Sequence, residues 1–155
     1  MKYYNYDIVF QEIPDEVSLA VNITNCPNHC EECHSKHLWD DIGAPLTEES
    51  LDALTAKYKN HITCVCLMGG DGEANTVANL LQHVQQHSKL KTAWYSGRTA
   101  VPERLDCFNY LKLGPYIPQK GGLKSKNTNQ RLYKVANNQL EDITARFWRD
   151  GEMKR

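Results

Sequence analysis

The sequence predicts an α/β fold built on a mainly parallel sheet that closes no further than a partial, open barrel. Three observations lead there. Short apolar runs of strand character alternate with segments of helical periodicity, the pattern of βαβ units. The runs end at glycines or polar turns, so chemistry-bearing residues fall just after strands, where α/β folds carry their sites. The chain has 155 residues, which makes residues 1–155 a single domain. That is well short of the roughly 250 residues of a complete eightfold barrel. A chain of this size still buries roughly two-thirds of its unfolded surface, enough for a core of its own.

The elements follow in order. In residues 17–23, Val17, Leu19, Val21 and Ile23 alternate with smaller or polar residues, the period of a strand. A cysteine-bearing loop starts at Thr24. Thr47 then offers an N-cap, with Glu48 and Glu49 where a helix dipole favours acids, and Leu51, Leu54 and Tyr58 on one helical face. Residues 62–68 are a short apolar run stopped by Gly69-Gly70-Asp71-Gly72-Glu73, the mark of a buried strand. Val77, Leu80, Leu81 and Val84 have helical spacing. Residues 91–95 form the next strand and end at Ser96-Gly97. Weaker strand signals cover residues 107–113 and 132–136, separated by a glycine- and lysine-rich loop, residues 114–130. In residues 139–155, Ile143, Phe147 and Trp148 suggest a helix docked on the core. No internal repeat or low-complexity tract interrupts the series. With parallel strands, the cysteine loop, the Gly-Gly-Asp turn and the Tyr95-Ser96-Gly97 turn crowd one edge of the sheet.

Composition narrows the function classes. The formal net charge is −1, which gives no global pull toward nucleic acid or membrane. Acids gather at Asp40, Asp41, Glu48, Glu49 and Asp52, and bases at Lys112, Lys120, Lys124, Lys126, Arg131 and Lys134. Both groups read as solvated surface, with a partner-docking face as the alternative. Residues 1–16 carry Asp7, Glu12, Asp15 and Glu16 and lack the apolar core of a signal peptide. No apolar run has the length to span a bilayer. The expectation is a cytoplasmic protein, in which thiols stay reduced. The six cysteines are then ligands or core residues rather than disulfides.

Three of them sit in one loop, Cys26-Pro27-Asn28-His29-Cys30-Glu31-Glu32-Cys33, with C-x3-C-x2-C spacing and no fourth cysteine nearby. A structural metal site closes its shell with protein ligands, and iron–sulfur clusters are normally held by four thiolates. Three thiolates suggest a cluster with one iron open to a small molecule. Zinc stays open as an alternative, because thiolates suit both metals and His29, His34 or His37 would complete a Cys3His set. The second Cys or His pair of the familiar zinc modules is missing. A thiol redox site using Cys30 and Cys33 would leave Cys26 unexplained. Cys64 and Cys66, one residue apart, share a strand face and read as packing, as does Cys107. Gly69-Gly70-Asp71 is by default a tight turn, but glycines there let backbone approach a ligand and offer carbonyls to an ammonium group. Neither a Walker A sequence nor G-x-G-x-x-G is present.

A strand, then C-x3-C-x2-C, then Gly-Gly-Asp after the next strand resembles the radical S-adenosylmethionine enzymes. Within them the chain resembles the activating proteins of anaerobic ribonucleotide reductases. The closer match rests on Asn22-Ile23-Thr24-Asn25-Cys26-Pro27, Cys33-His34-Ser35, Leu38-Trp39, Met68-Gly69-Gly70-Asp71, Tyr95-Ser96-Gly97 and Asn127-Thr128-Asn129-Gln130-Arg131, and it spans roughly residues 17–135. Two positions depart from the family pattern. Glu32 stands where many members have an aromatic residue, and Gly72 where proline often follows the triplet.

The resemblance implies a partial β/α barrel of the radical S-adenosylmethionine type. Cys26, Cys30 and Cys33 would hold a [4Fe-4S] cluster whose fourth iron chelates S-adenosyl-L-methionine. Glu32, Cys33 and His34, the Gly69-Gly70-Asp71 turn, and Tyr95 with Ser96 would border that cofactor, the glycine turn gripping its methionine amino group. Reductive cleavage would yield methionine and a 5′-deoxyadenosyl radical, which takes a hydrogen from a backbone glycine. The implied partners are an anaerobic ribonucleoside-triphosphate reductase and a low-potential electron donor, with no nucleic acid and no membrane. A radical enzyme with another substrate and a small structural zinc-binding module are the competing readings.

Overall fold

Alternation puts Leu19, Val21 and Ile23 on one face of β2 (Ser18–Ile23), and the neighbouring strands repeat the arrangement. The computed structural model describes residues 1–24 and 43–148. In chain order the other elements are β1 (Lys2–Val9), β3 (Ala44–Pro45), α1 (Glu48–Tyr58), β4 (Cys64–Met68), α2 (Ala74–His87), β5 (Lys91–Tyr95), β6 (Tyr110–Leu113), β7 (Arg131–Ala136) and β8 (Gln139–Asp142). Short 3₁₀ turns span Asp71–Glu73 and Thr144–Trp148.

The described strands form one sheet in the order β3-β1-β2-β4-β5-β6-β7-β8. It is a mixed sheet. The run β2-β4-β5-β6 is parallel, while β1 and β3 on one flank and β7 and β8 on the other pair antiparallel. The register aligns Asn22 with Met68, Met68 with Tyr95, and Tyr95 with Lys112. These four residues form a row across the carboxyl ends of the parallel strands.

Each face has a core. On one, α1 and α2 bring Leu51, Leu54, Val77, Leu80, Leu81 and Val84 against Leu19, Val21, Val65, Leu67, Trp94 and Leu111. Fully burying each such side chain is worth about 1.5–3 kcal/mol. On the other, Cys64, Cys66, Ala93, Tyr110 and Leu132 pack with Ile13 and Ile143, and Leu123 and Phe147 close over them. Both cysteines thus face one core, and Cys107 is fully buried in the other. The cap of α1 is reciprocal. Ser50 donates its amide to Thr47 Oγ1 (3.1 Å), and Thr47 donates its own to Ser50 Oγ (2.7 Å), a capping box with serine in the usual glutamate position.

The expected mainly parallel sheet is instead mixed, parallel in three of its seven described pairings because the flanking strands return through hairpins and antiparallel edges, and two elements differ as well. Between β5 and β6, residues 97–109 form an irregular crossover where a βαβ unit would carry a helix. Pro102 lacks an amide hydrogen and disfavours helical geometry in the residue before it. The strand signal at residue 107 becomes a pairing strand only at Tyr110. After β7, the described part of residues 139–155 is a strand and a 3₁₀ turn rather than a docked helix. Asn137 and Asn138 both take positive φ (53° and 59°), the conformation of a two-residue hairpin turn that sends the chain back along β7. Ile143 and Phe147 still reach the core. Among the described residues, no helix is long and apolar enough to cross a membrane.

Candidate functional site

The carboxyl ends of β2, β4, β5 and β6 make one edge, and the sequence-predicted residues converge on it. β2 ends at Ile23, and Thr24 donates its amide to Lys2 O (3.0 Å), fixing the point from which the cysteine segment departs. Cys26, Cys30 and Cys33, with Glu32, His34 and the other histidines of that segment, lie outside the described residues.

After β4 the chain turns through Gly69 and Gly70, with φ of 103° and 82°, a region that favours glycine. Space requires glycine too. A Cβ on Gly69 would lie 3.1 Å from Ile23 O, and one on Gly70 would lie 2.7 Å from Val77 Cγ2. Gly69 is held from both sides. Its amide donates to Tyr95 O (3.0 Å), and its carbonyl accepts from Trp94 Nε1 (2.6 Å). Trp94 is itself fixed by stacking on Phe108, with centroids 5.6 Å apart. Gly70 O accepts from Glu73 N (2.9 Å). Each turn carbonyl thus has one bond within the chain and keeps a second lone pair.

Asp71 is almost fully buried and ties two turns together. Its carboxylate accepts from Ser96 Oγ (2.5 Å) and from Gly97 N (2.9 Å), while Ser96 Oγ accepts from Arg98 N (3.0 Å). The hydroxyl of Tyr95 donates to Glu12 O on the opposite sheet face, and burial pushes its pKa well up. The structure therefore brings Gly69, Gly70, Asp71, Tyr95 and Ser96 to one edge. It also commits the polar atoms of Asp71, Tyr95 and Ser96 to bonds that hold the edge together.

Lys112 is the residue that sequence reasoning misplaced. Read as solvated surface, it is only 8% exposed. Its Nζ donates to Gly114 O (2.7 Å) and Ser96 O (3.2 Å) and lies 5.8 Å from the Tyr95 ring centroid. The signal was present in Tyr110-Leu111-Lys112-Leu113. Period-two alternation from Tyr110 puts Lys112 on the same face as Tyr95. The Asn127–Arg131 motif shapes the loop behind this edge: Asn129 Nδ2 donates to Pro115 O (3.1 Å), and Thr128 Oγ1 donates to Gly121 O (3.1 Å).

A cavity of about 1160 Å³ opens at the other edge, beside Glu16, Lys91, Tyr110, Lys59 and Lys134. Both helices end there, so its lysines answer the negative ends of two helix dipoles. Glu16 accepts from Lys91 Nζ (2.8 Å), Thr63 Oγ1 (2.6 Å) and Tyr110 Oη (2.8 Å). Burial alone would raise its pKa, but these donors, Lys91 foremost, hold it below the usual carboxylate range. Burial pushes the Cys64 thiol up to about 12 and that of Cys107 to about 11. The described residues contain no cluster of metal-ligating side chains.

A family model described as a 4Fe-4S single cluster domain matches residues 17–114, more than half of the chain. The match runs from the start of β2 past the end of β6, across the cysteine motif, the Gly-Gly-Asp turn, Tyr95, Ser96 and Lys112. The comparisons with curated proteins and with solved structures gave no match.

Proposed function

The chain belongs to the 4Fe-4S single cluster domain family, and from that premise we propose that it is a radical S-adenosylmethionine activase that generates a glycyl radical on an anaerobic ribonucleoside-triphosphate reductase. On this reading the parallel strands and helices form a partial β/α barrel, and the protein is an oxidoreductase of the cytoplasm. One observation carries the proposal: the C-x3-C-x2-C segment leaves β2 at the same edge as the Gly69-Gly70-Asp71 turn, within the matched region.

The residues suit the groups required. Three thiolates are the soft donors that iron–sulfur clusters take. The glycine turn provides backbone where a Cβ would collide with Ile23 O or Val77. A buried ammonium, Lys112, favours the negative charge of a thiolate-bound cluster or a carboxylate at that edge.

Cys26, Cys30 and Cys33 would hold the cluster, with Gly69, Gly70 and Asp71, Tyr95 and Ser96, and Glu32 and His34 of the loop, bordering S-adenosylmethionine. When bound, these cofactors supply the electron and the carbon–sulfur bond whose reductive cleavage initiates radical chemistry. The chain's own residues position and shield. Trp94 fixes the Gly69 carbonyl, Asp71 locks the turns after β4 and β5 together, and Tyr95 ties the strand end to the segment before β2.

The test is anaerobic reconstitution with iron and sulfide, then reduction with S-adenosylmethionine in the presence of the reductase. Expected are 5′-deoxyadenosine and a glycyl-radical resonance, both lost when Cys26, Cys30 or Cys33 becomes alanine. Tight zinc without acid-labile sulfide, or a cluster that yields no 5′-deoxyadenosine with the reductase present, would overturn the proposal. 5′-Deoxyadenosine without a reductase radical would move the substrate elsewhere.

A further inference from the structure

Residues 114–130 contain three lysines and no aspartate or glutamate. The loop leaves β6 and returns to β7, so it starts at the carboxyl edge, where Gly114 donates its amide to Arg98 O (2.7 Å) in the turn after β5. Lys120, Lys124 and Lys126 are all exposed. Among the described residues no carboxylate pairs with any of them. Lys124 Nζ donates to the neutral amide oxygen of Gln11 (3.0 Å).

The loop is built rather than loose. Ile117 O accepts from the amides of Lys120 and Gly121 (both 2.9 Å), Gly122 O from Ser125 N (2.9 Å), and Ser125 O from Thr128 N (3.2 Å). Trp148 Nε1 donates to Leu123 O (2.9 Å), and the Leu123 side chain packs on the core. A fixed platform presents charge without first losing backbone entropy. Arg98, exposed on the turn after β5, adds a cation at this edge. The carboxylates of the described residues near this edge include the buried Asp71, the half-exposed Glu73 near the N-terminal ammonium, Glu12, and the exposed Glu103, which lines one cavity with Ser96 and Arg98.

We infer that this loop is an electrostatic docking platform for an acidic protein surface. Its occupant is a surface of the reductase, which charge complementarity requires to be acidic, so it rests on the activase reading. Three unpaired ammonium groups at the rim of a reactive edge raise the encounter rate of an oppositely charged partner and fix its orientation. From Lys120 to Lys126 the sequence has no aromatic residue, and single-stranded nucleic acid needs such stacking platforms, so the loop favours a protein.

The experiment measures association of the full chain with immobilised reductase at about 0.01 M and about 1 M salt, where the Debye length falls from about 30 Å to about 3 Å. The chain is compared with the Lys120→Glu/Lys124→Glu/Lys126→Glu variant. In parallel, both are assayed for 5′-deoxyadenosine without reductase. The expected result is an association rate lowered about tenfold or more at low salt, a salt dependence that flattens in the variant, and unchanged partner-free 5′-deoxyadenosine. A triple Lys→Gln variant, which adds no repulsion, keeps the test decisive if charge reversal impairs folding. Unchanged association with normal 5′-deoxyadenosine overturns the docking platform and leaves the activase reading intact. Absent 5′-deoxyadenosine in the unaltered chain with reductase present overturns both. Lysine-dependent binding to an oligonucleotide but not to the reductase would replace the protein partner with nucleic acid.

Discussion

Gly70→Ala tests whether the turn after β4 is fixed by its geometry. Gly70 has φ of 82°, and a Cβ there would lie 2.7 Å from Val77 Cγ2 and 3.3 Å from Ile23 Cδ1. Val77 and Ile23 are both essentially unexposed, so neither can swing into solvent. The left-handed backbone costs an alanine about 1–2 kcal/mol, and forcing a methyl into a filled core costs about 1–3 kcal/mol. Together they predict a loss of about 2–5 kcal/mol, or on the order of 10 °C in Tm for a chain of this size. The assay is urea unfolding of the metal-free protein by far-ultraviolet circular dichroism, read as a shifted midpoint at constant slope. Gly122→Ala is the matched control. Its nearest neighbour would be Gln130 Oε1 at 3.7 Å, an ordinary contact, and its effect should stay within about 0.5 kcal/mol. If Gly70→Ala unfolds within that same margin, or if the two variants lose equal stability, the steric account of the turn is wrong.

Asp71→Ala should cost about 2–5 kcal/mol in the same assay, because it strips the acceptor from Ser96 Oγ and Gly97 N in a buried site. Asp71→Asn, which keeps one acceptor oxygen, should lose clearly less, and equal losses would show that the cross-link between the turns contributes little. Glu16→Gln probes pH dependence. The Glu16 pKa is lowered on folding, so its contribution is present above the unfolded value of about 4.3 and is lost as pH falls through the folded value. Below about pH 4 the unaltered chain should lose stability more steeply than the variant. At pH 7 the variant should be weaker by only about 1–2 kcal/mol, because Lys91 is 53% exposed and half hydrated already. Parallel pH profiles would remove Glu16 from the account.

The sequence made the parallel centre readable because its strands obey local rules. Residues 91–95 match β5 to the residue, the run at 62–68 contains β4, and Thr47 caps α1 as its side chain suggests. What escaped depends on pairing. β1, with Tyr3, Asn5 and Asp7 interleaved among apolar residues, has a weak pattern and is held by its register with β2, bulge included. β8 follows from the turn at Asn137-Asn138, a pair of residues tolerant of left-handed backbone and a local signal that was overlooked. The site divides the same way. The Gly-Gly-Asp turn was legible as backbone, but the bond from Trp94 to Gly69 joins residues 25 positions apart. The burial of Lys112 requires knowing which face of β6 is covered.

If Cys26, Cys30 and Cys33 hold the cluster, the sheet also bears on how it is loaded. Cys64, Cys66 and Cys107 are sealed in its two cores, and burial pushes all three thiols up, away from the thiolate that binds metal. In the unfolded chain those same sulfurs would have ordinary acidity and would compete with Cys26, Cys30 and Cys33 for every iron. On that reading folding would act as a proofreading step, because it withdraws half of the six cysteines from the contest. A chain that meets iron after its core has closed has far fewer ways to be loaded wrongly than one that meets it while still being made.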